Sequence, residues 1–243
     1  MIGRPGPALA AAALLAALAA GACGGNEEES GDDTARDISA EELSRMPLSL
    51  GAFGPEYAGF APGAEANGPL TPEEAAQDDF DPAAEQLDLQ LFGFLSGYET
   101  YFSGERAKGG AFLLGSEVSL FETTEGASGY LDDARAEISQ DVGKTNRGAT
   151  LKEAQELNAD VADQSVGARG VLSIAGQDGA STDAWFVAVP FRRGRLIGSA
   201  AMYAIGASDL EKQRLEGKVK SLAGTMNERM REVLGGVTVS PPE

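Results

Sequence analysis

The sequence contains no histidine and a single cysteine, Cys23, in 243 residues. Without imidazole there is no Ser-His-Asp or Cys-His catalysis, no H-E-x-x-H zinc site and no histidine proton shuttle near neutral pH. A lone cysteine forms no internal disulfide, so the fold must rest on its own core. A chain of this length can bury about 70% of the surface it exposes when unfolded, which suffices without covalent staples. Basic residues are also scarce, 19 Lys and Arg against 38 Asp and Glu, for a net charge of -19. So acidic a surface repels nucleic acid and anionic lipid headgroups. The sequence has no G-x-G-x-x-G, P-loop, G-x-S-x-G, S-x-x-K or N-x-S/T motif. An enzyme built from these residues would have to work through carboxylates, lysine, tyrosine or an oxygen-ligated cation, and no cofactor is expected.

What is present begins with an address. Arg4 precedes the uncharged, apolar run Ala8–Ala20, which closes on Ala20-Gly21-Ala22-Cys23. A membrane span needs about 20 apolar residues, so this run reads as a cleaved export signal. Ala20-Gly21-Ala22 also fits ordinary signal peptidase, which leaves a secreted or periplasmic product as the alternative. Cys23 directly follows the small residues and is followed by Gly24, Gly25 and Asn26. The arrangement resembles the lipobox of bacterial lipoproteins, with Ala20 where leucine is favoured. That resemblance implies loss of residues 1–22, diacylglycerol on Cys23 and attachment to the outer face of the cell membrane. Two acyl chains suffice for such anchoring, at about 0.8 kcal/mol per buried methylene. The following residues to Asp37 are glycine, serine and acid with one arginine, too polar to fold. The expected plan is a signal peptide over 1–22, an anchor and acidic tether over 23–37, and a folded domain over 38–243.

Within the domain, capping boxes at Ser39/Glu42, Thr71/Glu74 and Ser208/Glu211 and the Asp81-Pro82 pair mark helix starts. The Asp81 helix is expected to run to Gly97, with Ala84, Leu87, Leu91 and Leu95 on its packing face and Phe94 beside them. Tyr98–Ser103 and Ala111–Glu122 read as a β-hairpin, followed by a helix with the stripe Ala127, Tyr130, Leu131, Ala134 and Ile138. The segment 142–167 is mostly polar; Leu151, Ala154, Leu157 and Val161 suggest a short helix there. Val171–Ala175 is a brief strand. Trp185, Val187, Val189 and Phe191 alternate onto one face of a strand, and Ile197–Ile205 returns as a strand apolar on both faces. Pro190 cannot donate to a ladder, so its strand is expected to be an edge or bulged. Leu215, Val219, Leu222, Met226, Met230 and Val233 stripe the longest helix, whose Gly217 and Gly224 suggest close approach to the sheet. The fold class is therefore α+β, a single domain with a mainly antiparallel sheet and helices packed on it. A ββα order occurs twice, as in a weak internal duplication. The order of elements is similar to the α/β sandwiches of actinobacterial envelope lipoproteins and extracellular sensor domains.

Candidate chemistry is sparse. Arg192, Arg193 and Arg195 are the one dense basic cluster and could hold a carboxylate or phosphate, with Trp185 nearby; alternatively they are a solvated hairpin turn. Asp178 and Asp183 could offer oxygens to calcium, but their spacing is not that of an EF-hand, and no metal is expected. Asp132 with Asp133, and Asp78 with Asp79, are sequence neighbours that spacing alone cannot aim at one bond. Tyr98, Tyr101, Tyr130 and Trp185 could line a sugar or peptide pocket or simply be core. The expected function is a lipid-anchored envelope protein whose domain binds a small ligand or an envelope protein without catalysis. The alternatives are a carboxylate-based hydrolase of envelope polysaccharide and a structural or assembly lipoprotein.

Metabolic labelling with a palmitate analogue tests the anchor. The wild-type chain is expected to take label and Cys23→Ser to lose it; equal label in both would refute lipidation at Cys23.

Overall fold

The computed structural model describes residues 37–63, 67–105, 110–176 and 179–236. Cys23, the tether up to residue 36, Gln177 and Asp178 lie outside the described residues. At Ser39 the side chain accepts from the Glu42 amide while the Ser39 amide donates to the Glu42 carboxylate, opening α1 (Ala40–Ser44). Next come α2 (Leu50–Phe53) and a 3₁₀ turn at Pro55–Tyr57, which seat Phe53 and Tyr57 in the interior. The strands β1 (Ala61–Pro62) and β2 (Gly68–Leu70) lead to α3 (Pro72–Ala76), capped by Thr71 and Glu74, and α4 (Pro82–Leu91), capped by Asp81. The hairpin β3 (Phe94–Ser103) and β4 (Ala111–Phe121) precedes α5 (Thr124–Glu137), where Thr123 caps. Then follow β5 (Thr145–Asn146), β6 (Ala149–Leu157), β7 (Gln164–Ser165), β8 (Gly167–Ala175), β9 (Ser181–Arg193) and β10 (Leu196–Ile205), and α6 (Asp209–Leu234) closes the fold.

Every strand pairing is antiparallel, in the order β1-β3-β4-β10-β9-β8-β6-β5, with β2 also on β3 and β7 also on β9. The sheet is curled, and helices cover both faces. One face meets α1, α2 and α6 through Val118, Trp185, Val187, Val189, Phe191 and Met202. The other meets α3, α4 and α5 through Tyr101, Phe121, Phe186, Ile197, Ala201 and Tyr203. β4 and β10 are buried on both faces, as a doubly covered strand requires. Helices follow both hairpins, so the ββα order does recur, but α5 and α6 lie on opposite faces. A two-fold axis exchanging antiparallel β4 and β10 would put both helices on one face, so the recurrence is one of order. The segment after α1 is pinned to the sheet at Leu48. Its amide donates to Ser116 Oγ at 3.0 Å, its carbonyl accepts from Thr100 Oγ1, and Ser116 Oγ in turn lies 3.4 Å from Met226 Sδ on α6. Among the described residues no helix is long and apolar enough to cross a membrane.

Four local expectations differ from the structure. The Asp81 helix stops at Leu91, and its inward stripe is Glu85, Asp88 and Leu89, with Phe92 edge-on to Tyr130. Leu87, Leu91 and Leu95 are 65%, 72% and 49% exposed. Segment 149–157 is a strand. A register shift between Leu151 and Glu153 breaks its period of two, so Leu151 and Leu157 enter opposite cores and the apolar spacing mimics a helix. Pro190 lies in the interior strand β9 without a register shift. Val166 donates to the Pro190 carbonyl, and the bond that a Pro190 N–H would return is missing, so β7 and β8 part at Val166.

Gly217 and Gly224 face open space. The close approaches are in the sheet: a Cβ on Gly115 would stand 2.5 Å from the Tyr101 ring, and one on Gly170 1.9 Å from the Glu153 carbonyl oxygen. The two helix glycines weaken α6 by about 1 kcal/mol each. Burial of Leu215, Val219, Leu222, Met226, Met230 and Val233 contributes about 1.5–3 kcal/mol apiece, so packing decides that the helix forms. Gly217→Ala and Gly224→Ala are therefore each expected to raise the unfolding free energy in urea by about 1 kcal/mol. Gly170→Ala, placed against backbone, is expected to lower it.

Candidate functional site

The arginines of the β9–β10 turn serve the fold in different directions. Arg192 Nε donates to Gln164 Oε1 at 3.1 Å, and Gln164 is itself bonded to Ser128 and Asp132 of α5. Arg193 Nε donates to Asn227 Oδ1 of α6 at 2.6 Å. Two consecutive strand residues point to opposite faces, so each arginine ties one helix layer to the hairpin. Arg192 and Arg193 do not converge on a common anion, and the Arg195 Nε is buried. Trp185 is 8% exposed in the core beneath α6. Asp183 is exposed and paired with Lys152 at 2.8 Å. Tyr98 packs toward the α6 face, whereas Tyr101 and Tyr130 lie in the other core, so the four aromatic candidates do not line one place.

What the structure does bring together is acid. On the α3–α5 face Glu99 of β3 stands directly opposite Glu117 of β4, and Glu117 directly opposite Ser199 of β10. Tyr101 covers Gly115 beside that row, with Tyr203 farther along the same face. Above it, α4 lowers Glu85 and Asp88, the α3–α4 turn lowers Asp79, and the end of α5 lowers Glu137 and Asp141. All of these are at most 9% exposed, and Asp141 is fully buried. Tyr130 donates to Glu85 Oε1 and Ser119 to Glu117 Oε1, each at 2.8 Å. Glu85 Oε2, Asp88 Oδ2, Glu137 Oε2 and Asp141 Oδ2 are buried with no hydrogen-bond partner. Among the described residues, Lys144 Nζ lies 2.6 Å from Asp141 Oδ1 and Arg147 Nη1 2.8 Å from Asp78 Oδ1. Among the described residues no three acidic groups are arranged to hold a metal ion.

Burying a carboxylate without a partner costs several kcal/mol, and such a group takes up a proton instead. Desolvation, then the neighbouring Asp79, pushes Glu85 up to about 9. Glu137 rises to about 9 through desolvation and then Asp141. Glu99 reaches about 8 through desolvation and then Glu117, and Glu117 about 7 through desolvation, against the Ser119 hydrogen bond. Asp78 rises to about 6 by desolvation, with Arg147 pulling the other way. Burial likewise raises Tyr101, Tyr130 and Tyr203. Glu85, Glu137 and Glu99 are thus largely protonated at neutral pH.

Sequence spacing could not find this group, because its members come from α3–α4, α4, β3, β4 and the end of α5. The one available signal was negative: Glu85 and Asp88 occupy inward positions of a helix whose Leu87 and Leu91 point out.

The sign of the pH dependence follows from these values. Each raised carboxyl binds its proton more tightly in the folded chain than in the unfolded one, where the ordinary glutamate value is 4.5. Its stability contribution is complete below that value and is lost as pH climbs through 7 to 9. The melting temperature is expected to fall steadily from pH 5 to pH 9, and Glu85→Gln with Glu137→Gln to flatten that slope. A melting temperature that rises over this interval would contradict the protonated layer.

No protein-family model matches the sequence, and no curated protein matches it. Among solved structures the chain is similar to the extracellular domain of PknH from Mycobacterium tuberculosis. The TM-score is 0.48 with 11% identical residues, over 83% of this chain and 98% of that one. A likeness of this size carries no residue-to-residue correspondence.

Proposed function

We propose that this chain is an exported, non-catalytic binding protein, held at the membrane by lipid on Cys23, and that the carboxylate layer between α3–α5 and the sheet is its site for a cationic ligand. The observation that carries the reading is the set of buried, unpartnered oxygens on Glu85, Asp88, Glu137 and Asp141. A buried acceptor with no donor is costly, and a cluster of them is the arrangement that an incoming cation relieves. The sequence supports a binding role, since it offers neither histidine nor a free thiol in the domain for chemistry.

Hydrolysis is less well supported. Glu99 and Glu117 are direct cross-strand neighbours, a placement that puts Cβ atoms about 5 Å apart and is compatible with a retaining glycosidase pair. They are 7% and 9% exposed, however, so a polysaccharide cannot lie between them.

Calorimetry at pH 8 with calcium chloride, magnesium chloride, spermidine and an arginine-containing tripeptide tests the reading. A bound cation should displace protons from Glu85 and Glu137, so the heat should differ between HEPES and Tris buffers, and the Glu85→Gln, Glu137→Gln double variant should lose that difference. If none of the four probes binds the wild-type chain, the cation-binding reading fails.

A further inference from the structure

This inference rests on the cation-binding reading and names the ligand's chemistry. Among the described residues the carboxylate layer meets the cationic side chains of Lys144 and Arg147, both from one short stretch between α5 and β6. Lys144 and Arg147 each have side chains 40% exposed, whereas their partners Asp141 and Asp78 are 0% and 22% exposed. The cationic heads therefore sit at the rim, and the unpartnered oxygens of Glu85 and Glu137 lie deeper.

The way Arg147 is held is informative. Asn146 pairs with Ala149, leaving Arg147 and Gly148 as a two-residue turn. Their φ values of 45° and 82° are both left-handed, which is the type I′ geometry that favours Asn-Gly. A residue with a Cβ is disfavoured in that conformation, yet arginine stands there, and its guanidinium reaches Asp78. Asn146 Nδ2 adds bonds to the carbonyls of Gln77 and Asp79, so the turn tip grips the α3–α4 turn that roofs the layer. Backbone strain retained at such a point marks a contact that the surrounding structure enforces.

We propose that the layer accepts the guanidinium or primary ammonium group of an incoming ligand, and that Arg147 and Lys144 occupy its rim as the chain's own competitors for that place. The acceptors suit these groups. An ammonium offers three donors and a guanidinium five, which can satisfy oxygens spread over α4, α5 and the segment after it. A divalent cation needs six or more oxygens drawn into one shell, and among the described residues no three acidic groups are so arranged. Such a group can arrive on a peptide or on a free polyamine.

The test compares the wild-type chain with Arg147→Asn, which keeps a left-handed turn residue while removing the guanidinium, and with Glu137→Gln. An arginine- and lysine-containing tripeptide, spermidine and calcium chloride are titrated separately. Arg147→Asn is expected to bind the organic cations about tenfold more tightly, because their competitor is gone, and Glu137→Gln to bind them more weakly. Tighter binding of the tripeptide alone identifies a peptide source, and of spermidine alone a polyamine source; either supports the proposal. Binding of calcium alone, or organic-cation binding unchanged by Arg147→Asn, overturns it while the cation-binding reading stands. Absence of binding by every probe overturns both.

Discussion

Pairing of β4 with β10 is the constraint on which the rest of this molecule depends. It joins a hairpin completed by Phe121 to a strand that begins at Leu196, in nine opposed residue pairs from Leu196↔Leu120 to Ala204↔Ala111. Both strands are buried on both faces, so the ladder is stable only when α6 covers one side and α5 the other. Closing a loop of this length precedes any reward from the contacts it brings. The N-terminal hairpin and the meander β6-β8-β9-β10 can each form locally, but neither has a complete core until this seam closes.

The seam also separates two environments. The α6 face is built from aliphatic and aromatic residues: Phe191 against Gly198 and Met230, Trp185, Val187 and Val189 beneath the helix. The opposite face mixes an apolar layer with buried carboxyl groups. Apolar burial at roughly 25 cal/mol per Å² on the first face can offset the desolvation of acids on the second. Stability and the candidate site are thereby assigned to different sides of one sheet.

Much of the architecture was legible because its signals are local. Three capping boxes fixed helix starts at Ser39, Thr71 and Ser208, and the alternation of Trp185, Val187, Val189 and Phe191 fixed which face of β9 meets α6. The failures have equally specific causes. A bulge in β6 produced a helical spacing of apolar residues without a helix. In α4, Leu87 and Leu91 drew attention to the face that turned outward, while Leu89, Phe92 and two acids turned in. The candidate site was illegible because Glu99 and Glu117 meet only through strand register, and Asp79, Glu85 and Glu137 only through the stacking of α4 and α5 on that register. Within a single element each of these residues looks like an ordinary surface acid.

The clasp at Leu48 has a mechanical consequence. Its amide and carbonyl are bonded to Ser116 and Thr100, side chains 2% and 5% exposed on the two central strands of the N-terminal hairpin. A load applied through the chain that precedes Asp37 first peels α1, a helix of five residues, and then meets this clasp. Force entering there is divided between β3 and β4 and, through Ser116 and Met226, passed to α6. Tension from the N-terminal side thus enters the sheet on its α6 face, through residues that directly adjoin Glu99 and Glu117 of the carboxylate layer on the other side.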